Sequence, residues 1–234
     1  MSSSEPVRTK DKARARKASI ASVMDPANPS VTSGNQRADT VFIGHRALLI
    51  SLVTIFVVDL FLWLVNPPLV LDGLTDWMAH AATAILALAL LPQVTRRFAI
   101  GGLIGAVLID LDHLPKYLGT DILTKGTPRP YTHSLLMLGL VALAGWRTRG
   151  NASVYLAGAA FGLVTHLIRD MAEPGQNGGV ALFWPVSDWG VTLPYVAYAA
   201  AVVIMFLLAW RGVSLAPRKS GAVQPEMAGS GEML

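Results

Sequence analysis

Apolar positions along the chain gather into six blocks of roughly 16 to 20 residues, at about 47–66, 77–92, 98–114, 131–146, 153–170 and 190–210, with polar stretches between them. A helix rises about 1.5 Å per residue, so such blocks cross most or all of a ~30 Å hydrocarbon core. The pattern predicts an all-α fold: a polytopic transmembrane helical bundle of about six spans over residues 41–212. Blocks two to four are the shortest, which leaves a half-buried or locally thinned arrangement open. Small residues recur in "GGLIGA" (Gly101, Gly102, Gly105) and "AGAAFG" (Ala157 to Gly162), where they let helices approach closely.

The flanks read differently. Residues 1–40, with "KDKARARK" followed by Ser, Pro, Asn and Gly, hold too little apolar surface for a core and read as a disordered basic tail. Residues 213–234 read as a second flexible tail. The first apolar block starts too deep in the chain, and is too long, for a secretory signal peptide.

Composition supports the membrane reading: 53% of the residues are hydrophobic and 15% charged, well under the usual quarter for soluble domains. The net charge of +4 tracks topology and gives no reason to expect nucleic acid. Arg37 and Arg46 precede the first block, Arg96 and Arg97 follow the second, Arg147 and Arg149 the fourth, and Arg211, Arg218 and Lys219 the sixth. Positive charge marks cytoplasmic ends, so both termini are expected inside. The chain has no cysteine, which excludes disulfides and thiolate metal sites.

Against this background, "AVLIDLDHLP" (Ala106 to Pro115) ends an apolar block in Asp110, Asp112 and His113, residues a bilayer penalises unless they are paired, ligated or wet. Others fall at the same depth. His80 starts the second block, His133 starts the fourth, and His166 and Asp170 end the fifth, all toward the outer face. His166 and Asp170 are four apart and Asp110 and His113 three apart, so each pair shares a helix face. Asp112 points elsewhere unless the helix ends there, as Pro115 would allow; that off-face position makes it a candidate general base. Imidazole and carboxylate donors without sulfur suit a divalent metal, Zn first, with Mn or Fe(II) as alternatives. Seven candidates exceed what one catalytic zinc takes from protein. Either some orient a ligand from behind, or two ions share a bridging carboxylate. Asp59, mid-block in "IFVVDLFLW", is expected to hydrogen-bond within the bundle.

The segments "DLDH" (Asp110 to His113), "RPYTHS" (Arg129 to Ser134), "HLIRDMAEPG" (His166 to Gly175) and "LFWP" (Leu182 to Pro185) together resemble the LexA-regulated, membrane-bound metal-dependent hydrolase family over roughly residues 76–190. The family's motifs are an early His, Asp-x-Asp-His, His-Arg-Gly-x-Thr-His-Ser, and His-x-x-x-Asp before a Pro-Gly turn and Leu-Trp-Pro. The resemblance implies a bacterial inner-membrane protein. It implies that His80, Asp110, Asp112, His113, His133, His166 and Asp170 form the metal site, with Arg129, Thr132, Ser134 and Trp184 near the substrate. Pro128 and Pro130 stand where the family has His and Gly.

The expected function is an integral membrane hydrolase in which a divalent metal acidifies a bound water, cleaving an ester or phosphoester of a lipid-type substrate at the outer face. Arg129 suits a phosphate, and Trp184 fits an interfacial anchor equally well. Rival readings are a membrane transporter or ion-binding protein using the same His/Asp cluster, and an inactive scaffold stabilised by its metal. A transport path needs polar groups through the bilayer, and the blocks offer little besides Asp59.

Overall fold

The computed structural model describes residues 39–65, 67–125, 127, 129–172 and 179–215. The two expected tails lie almost wholly outside the described residues, as do Pro128 and the Pro-Gly turn at 174–175. The described fold is helical. Six helices carry it: α1 (His45–Val65), α2 (Leu69–Leu88), α3 (Arg96–Val107), α4 (Leu135–Arg147), α5 (Asn151–Ala172) and α6 (Tyr195–Leu215). Three of them, α1, α5 and α6, are long and apolar enough to cross a membrane; α4 is a shorter apolar helix. α2 is as long as these, but it carries Asp72, Asp76 and His80.

Local chemistry sets the helix ends. Pro68 precedes α2, where a missing N–H costs nothing. Thr95 caps α3 by accepting from the Phe98 N–H (3.3 Å), and Ser134 caps α4 by accepting from the Met137 N–H (3.4 Å). α4 and α5 are joined by a tight turn in which Gly150 takes φ +68°, a left-handed conformation that glycine adopts without steric cost. α3 does not run on to residue 114. It tightens at Leu108 into a 3₁₀ helix, Leu108–His113, followed by a single α turn, Leu114–Tyr117.

Two packing arrangements support the site. Leu48 and Ile55 of α1, Ala82 and Leu86 of α2, and Tyr198, Val202 and Ala209 of α6 form one core cluster. α3 and α5 meet backbone to backbone. A Cβ added at Gly101, Gly105, Gly158 or Gly162 would overlap the carbonyl oxygen of Tyr155, Ala159, Phe98 or Gly102 respectively. The small residues legible in both blocks are therefore one seam, in the manner of close-packed membrane helices. Outward faces of α1 and α6 remain apolar, with Ile50, Val57, Trp63, Val196, Ile204 and Leu207 exposed. Such a surface belongs against lipid.

Residues 179–194 fold back over one end of the bundle. Val180 and Val191 exchange both backbone hydrogen bonds (3.0 and 2.8 Å). The Leu135 N–H donates to Leu182 O (2.9 Å) and the Leu193 N–H to Met171 O (2.6 Å), fastening this segment to the start of α4 and the end of α5.

Candidate metal centre

Helix direction brings the ionisable residues together. The later turns of α1, α3 and α5 and the earlier turns of α2, α4 and α6 meet at the end covered by residues 179–194. His80 is not at the start of its helix, as the apolar block suggested; α2 begins at Leu69 and delivers His80 from its interior. His80, His133, His166 and Asp170 are buried to within 1% exposure, and Asp110 is buried as well.

Four donor atoms form the centre of the cluster. His166 Nε2 lies 3.0 Å from His133 Nε2, 3.4 Å from Asp110 Oδ1 and 3.1 Å from Asp170 Oδ2. His133 Nε2 lies 3.4 Å from Asp110 Oδ1 and 3.3 Å from Asp170 Oδ2. Bonds of about 2.0–2.2 Å to a tetrahedral zinc imply separations of roughly 3.3–3.5 Å between its donors. Three of the observed spacings match these values and two, at 3.0 and 3.1 Å, are a few tenths of an ångström shorter, so small side-chain shifts would admit a common cation.

The remaining contacts orient these donors. His166 Nδ1 donates to the Ala106 carbonyl across the α3–α5 seam (2.8 Å), which leaves its Nε2 lone pair facing the cluster. His133 Nδ1 faces Asp112 Oδ2 at 3.3 Å, so Asp112 stands behind His133 as a carboxylate behind a metal-binding imidazole. The 3₁₀ winding brings Asp112 in: at three residues per turn, Asp110 and His113 align and Asp112 swings toward α4. His113 Nδ1 lies 3.1 Å from Asp112 Oδ1 and 3.7 Å from Asp110 Oδ1. Asp112 therefore sits with the cluster, between His113 and His133.

Several buried polar atoms here make no hydrogen bond, among them His80 Nε2, Asp110 Oδ2 and Asp170 Oδ1, while Asp170 Oδ2 has its ion pair with Arg129. Buried carboxylates and imidazoles left so are costly, and a cation satisfies them together. Asp110, His133 and His166, and likewise His80, His166 and Asp170, can each bring one donor atom within 4.8 Å of one another. Asp112 and His133 lie outside the three helices long and apolar enough to cross a membrane. Burial favours a neutral imidazole at His133, but the close Asp110 and Asp112 carboxylates and the charge on Asp170 outweigh it and raise its pKa to about 9. Burial also opposes ionisation of Asp112, yet the adjacent His113 and His133 imidazoles pull its carboxyl below the usual range.

The residues expected near substrate divide. Arg129 is buried, with Nη1 3.3 Å from Asp170 Oδ2, so its charge is directed at a carboxylate of the cluster. Ser134 is buried as the cap of α4. Thr132 Oγ1 is buried without a hydrogen bond. Trp184 stacks on Tyr131, centroids 4.4 Å apart and 7° from parallel, and is half-buried.

Two charged residues escaped the sequence reading. Asp76 Oδ2 lies 3.3 Å from His80 Nε2. Arg169, next to Asp170, is 1% exposed; Nη2 donates to Asp59 Oδ1 (2.8 Å) and Asp76 Oδ1 (3.3 Å), and Nη1 to the Tyr198 hydroxyl (3.2 Å). Tyr195 donates to Asp59 Oδ2 (2.9 Å), so Asp59 is bonded within the bundle as anticipated. A lone arginine inside an apolar block was the available signal.

An α-helical membrane protein with a buried, sulfur-free His/Asp centre at one end of its bundle is the class these features define. The model of the YdjM inner membrane protein family matches residues 71–229, more than half of the chain, and the chain belongs to that family. No curated protein and no solved structure matches it.

Proposed function

We propose that the protein is a membrane hydrolase that cleaves an ester or phosphoester of a lipid-type substrate at the outer membrane face. The observation that carries this is the set His133 Nε2, His166 Nε2, Asp110 Oδ1 and Asp170 Oδ2, spaced 3.0–3.4 Å apart in the contacts described. A divalent cation held there, Zn or else Mn or Fe(II), would supply an acidified water close to neutral pH. The chain's own residues do the rest. Ala106 O and Asp112 hold the two imidazoles with Nε2 facing inward, and Arg129 steadies Asp170. Asp112 and His113 are 11% and 12% exposed at their side chains, whereas His80, His133 and Asp170 are fully enclosed. Substrate therefore approaches from the Asp112–His113 side, where Tyr131, Thr132 and Trp184 are also half-buried. That end of the bundle faces lipid headgroups, which makes a lipid ester the fitting substrate class.

The test is metal content by elemental mass spectrometry on detergent-purified protein, beside His166→Ala and His133→Ala checked for folding by size exclusion. Metal present in the wild type and lost in both variants, with product released from a lipid ester or phosphoester pool, is expected. A folded wild type that takes up neither Zn, Mn nor Fe sinks the reading. Metal or proton flux in proteoliposomes, without hydrolysis, would point to a transporter instead.

A further inference from the structure

We infer that the cluster holds two divalent cations, the second bound by Asp76 and His80, with Asp110 and Asp170 shared between the two positions. This rests on the reading that the first position, at His133 and His166, binds a cation.

His80 is the starting observation. Its side chain is fully buried, and its Nε2 lies 3.3 Å from Asp76 Oδ2 and 3.2 Å from Asp170 Oδ1. These are hydrogen-bond distances, yet neither ring nitrogen makes a hydrogen bond of acceptable direction. Two carboxylate oxygens thus lie close to one buried imidazole nitrogen that satisfies neither.

The carboxylates divide in the same sense. Asp170 turns Oδ2 to His133 and His166 and Oδ1 to His80. Asp110 gives Oδ1 to His133 and His166, while its Oδ2 is buried without a partner. Asp76, His80 and Asp110 can each bring one donor atom within 4.8 Å of one another. Arg169 engages Asp76 through Oδ1, which leaves Oδ2 for the His80 side. The His80 and His166 rings are stacked, 15° from parallel with centroids 3.9 Å apart. Side-by-side imidazoles at that distance suit neighbouring cations, which in two-metal sites sit roughly 3.5–4 Å apart.

Charge balance points the same way. Among the described residues, Asp59, Asp72, Asp76, Asp110, Asp112 and Asp170 are set against Arg129 and Arg169, a deficit of four with the histidines neutral as ligation requires. Buried charge without compensation is costly. One divalent cation leaves the set negative; two bring it to neutrality.

Purified protein loaded with Mn²⁺ alone tests this by elemental analysis and electron paramagnetic resonance. The wild type is expected to hold two Mn per chain with an exchange-coupled signal. Asp76→Asn and His80→Asn should each hold one, with an isolated six-line signal. His80→Asn is the second variant because, unlike Asp76→Asn, it leaves the Arg169 contact intact. Should neither variant fold, wild-type stoichiometry and spin coupling decide alone. One uncoupled Mn per chain in the wild type overturns the second position and leaves the first standing. No Mn, Zn or Fe bound at all overturns both, and two retained in both folded variants overturns the assignment to Asp76 and His80.

Discussion

Arg169 on α5 reaches α1 through Asp59, α2 through Asp76 and α6 through Tyr198, with the Tyr198 ring also beneath its guanidinium at 5.9 Å. The Tyr198 hydroxyl lies 2.8 Å from Thr83 Oγ1, which donates to Ala79 O, so the network closes on the α2 backbone. Replacing one partner of a buried charge set leaves the others uncompensated and costs about 3–5 kcal/mol. Arg169→Met should therefore lower the melting temperature in detergent by roughly 10 °C. A shift no larger than that of an exposed control such as Arg211→Met would contradict the central role of this guanidinium. Asp59 was legible in the sequence as a residue needing a partner inside the bundle. Its partner was not: Arg169 and Asp59 are 110 positions apart, and no local pattern links them. Asp76 was missed because it lies just ahead of the apolar block at 77–92, where an acidic residue reads as a solvated helix start.

Among the elements, the α3–α5 seam matters most for the site, because Gly162 lies one turn before His166 and Gly102 one turn before Ala106. Gly162→Leu would drive a side chain into the Gly102 backbone, where nothing can yield as a flexible side chain would. Expected are a large loss of stability and loss of the His166–Ala106 hydrogen bond, and with it of metal content. Gly139→Ala on α4 is the contrasting change: open space surrounds that position, and alanine gains roughly 0.5–1 kcal/mol over glycine in a helix interior. Equal melting temperatures for the two variants would refute the packing argument. The helices were legible as apolar blocks, and the Gly-rich stretches as contact faces. The 3₁₀ turn at Leu108–His113 was not, since hydrophobic periodicity cannot tell a tightened last turn from a continuing helix. That turn decides whether Asp112 joins the cluster.

At the level of the whole molecule, the six apolar blocks do not become six equal spans. Length and composition qualify α1, α5 and α6, while α2 puts polar groups where a simple span would be apolar. The sequence located the convergence of His and Asp at one end of the bundle because that required only helix order and alternating direction. It could not reveal which donors face one another, since that depends on rotations fixed by tertiary packing. The outward orientation proposed for the cluster is an expectation from charge: Arg96, Arg97, Arg147 and Arg149 flank the opposite ends of α3, α4 and α5. The chain contains no cysteine, so single-cysteine labelling tests the orientation cleanly. Asp188→Cys lies at an exposed position of the covering segment, and Asn151→Cys at an exposed position of the α4–α5 turn. In intact cells, a membrane-impermeant maleimide should label the first and leave the second unlabelled until the cells are opened. Labelling in the reverse order would place the cluster at the cytoplasmic face and require a substrate from the inner leaflet. It would also mean that the arginine bias does not set the orientation of this chain, although the geometry of the donor cluster would stand unchanged.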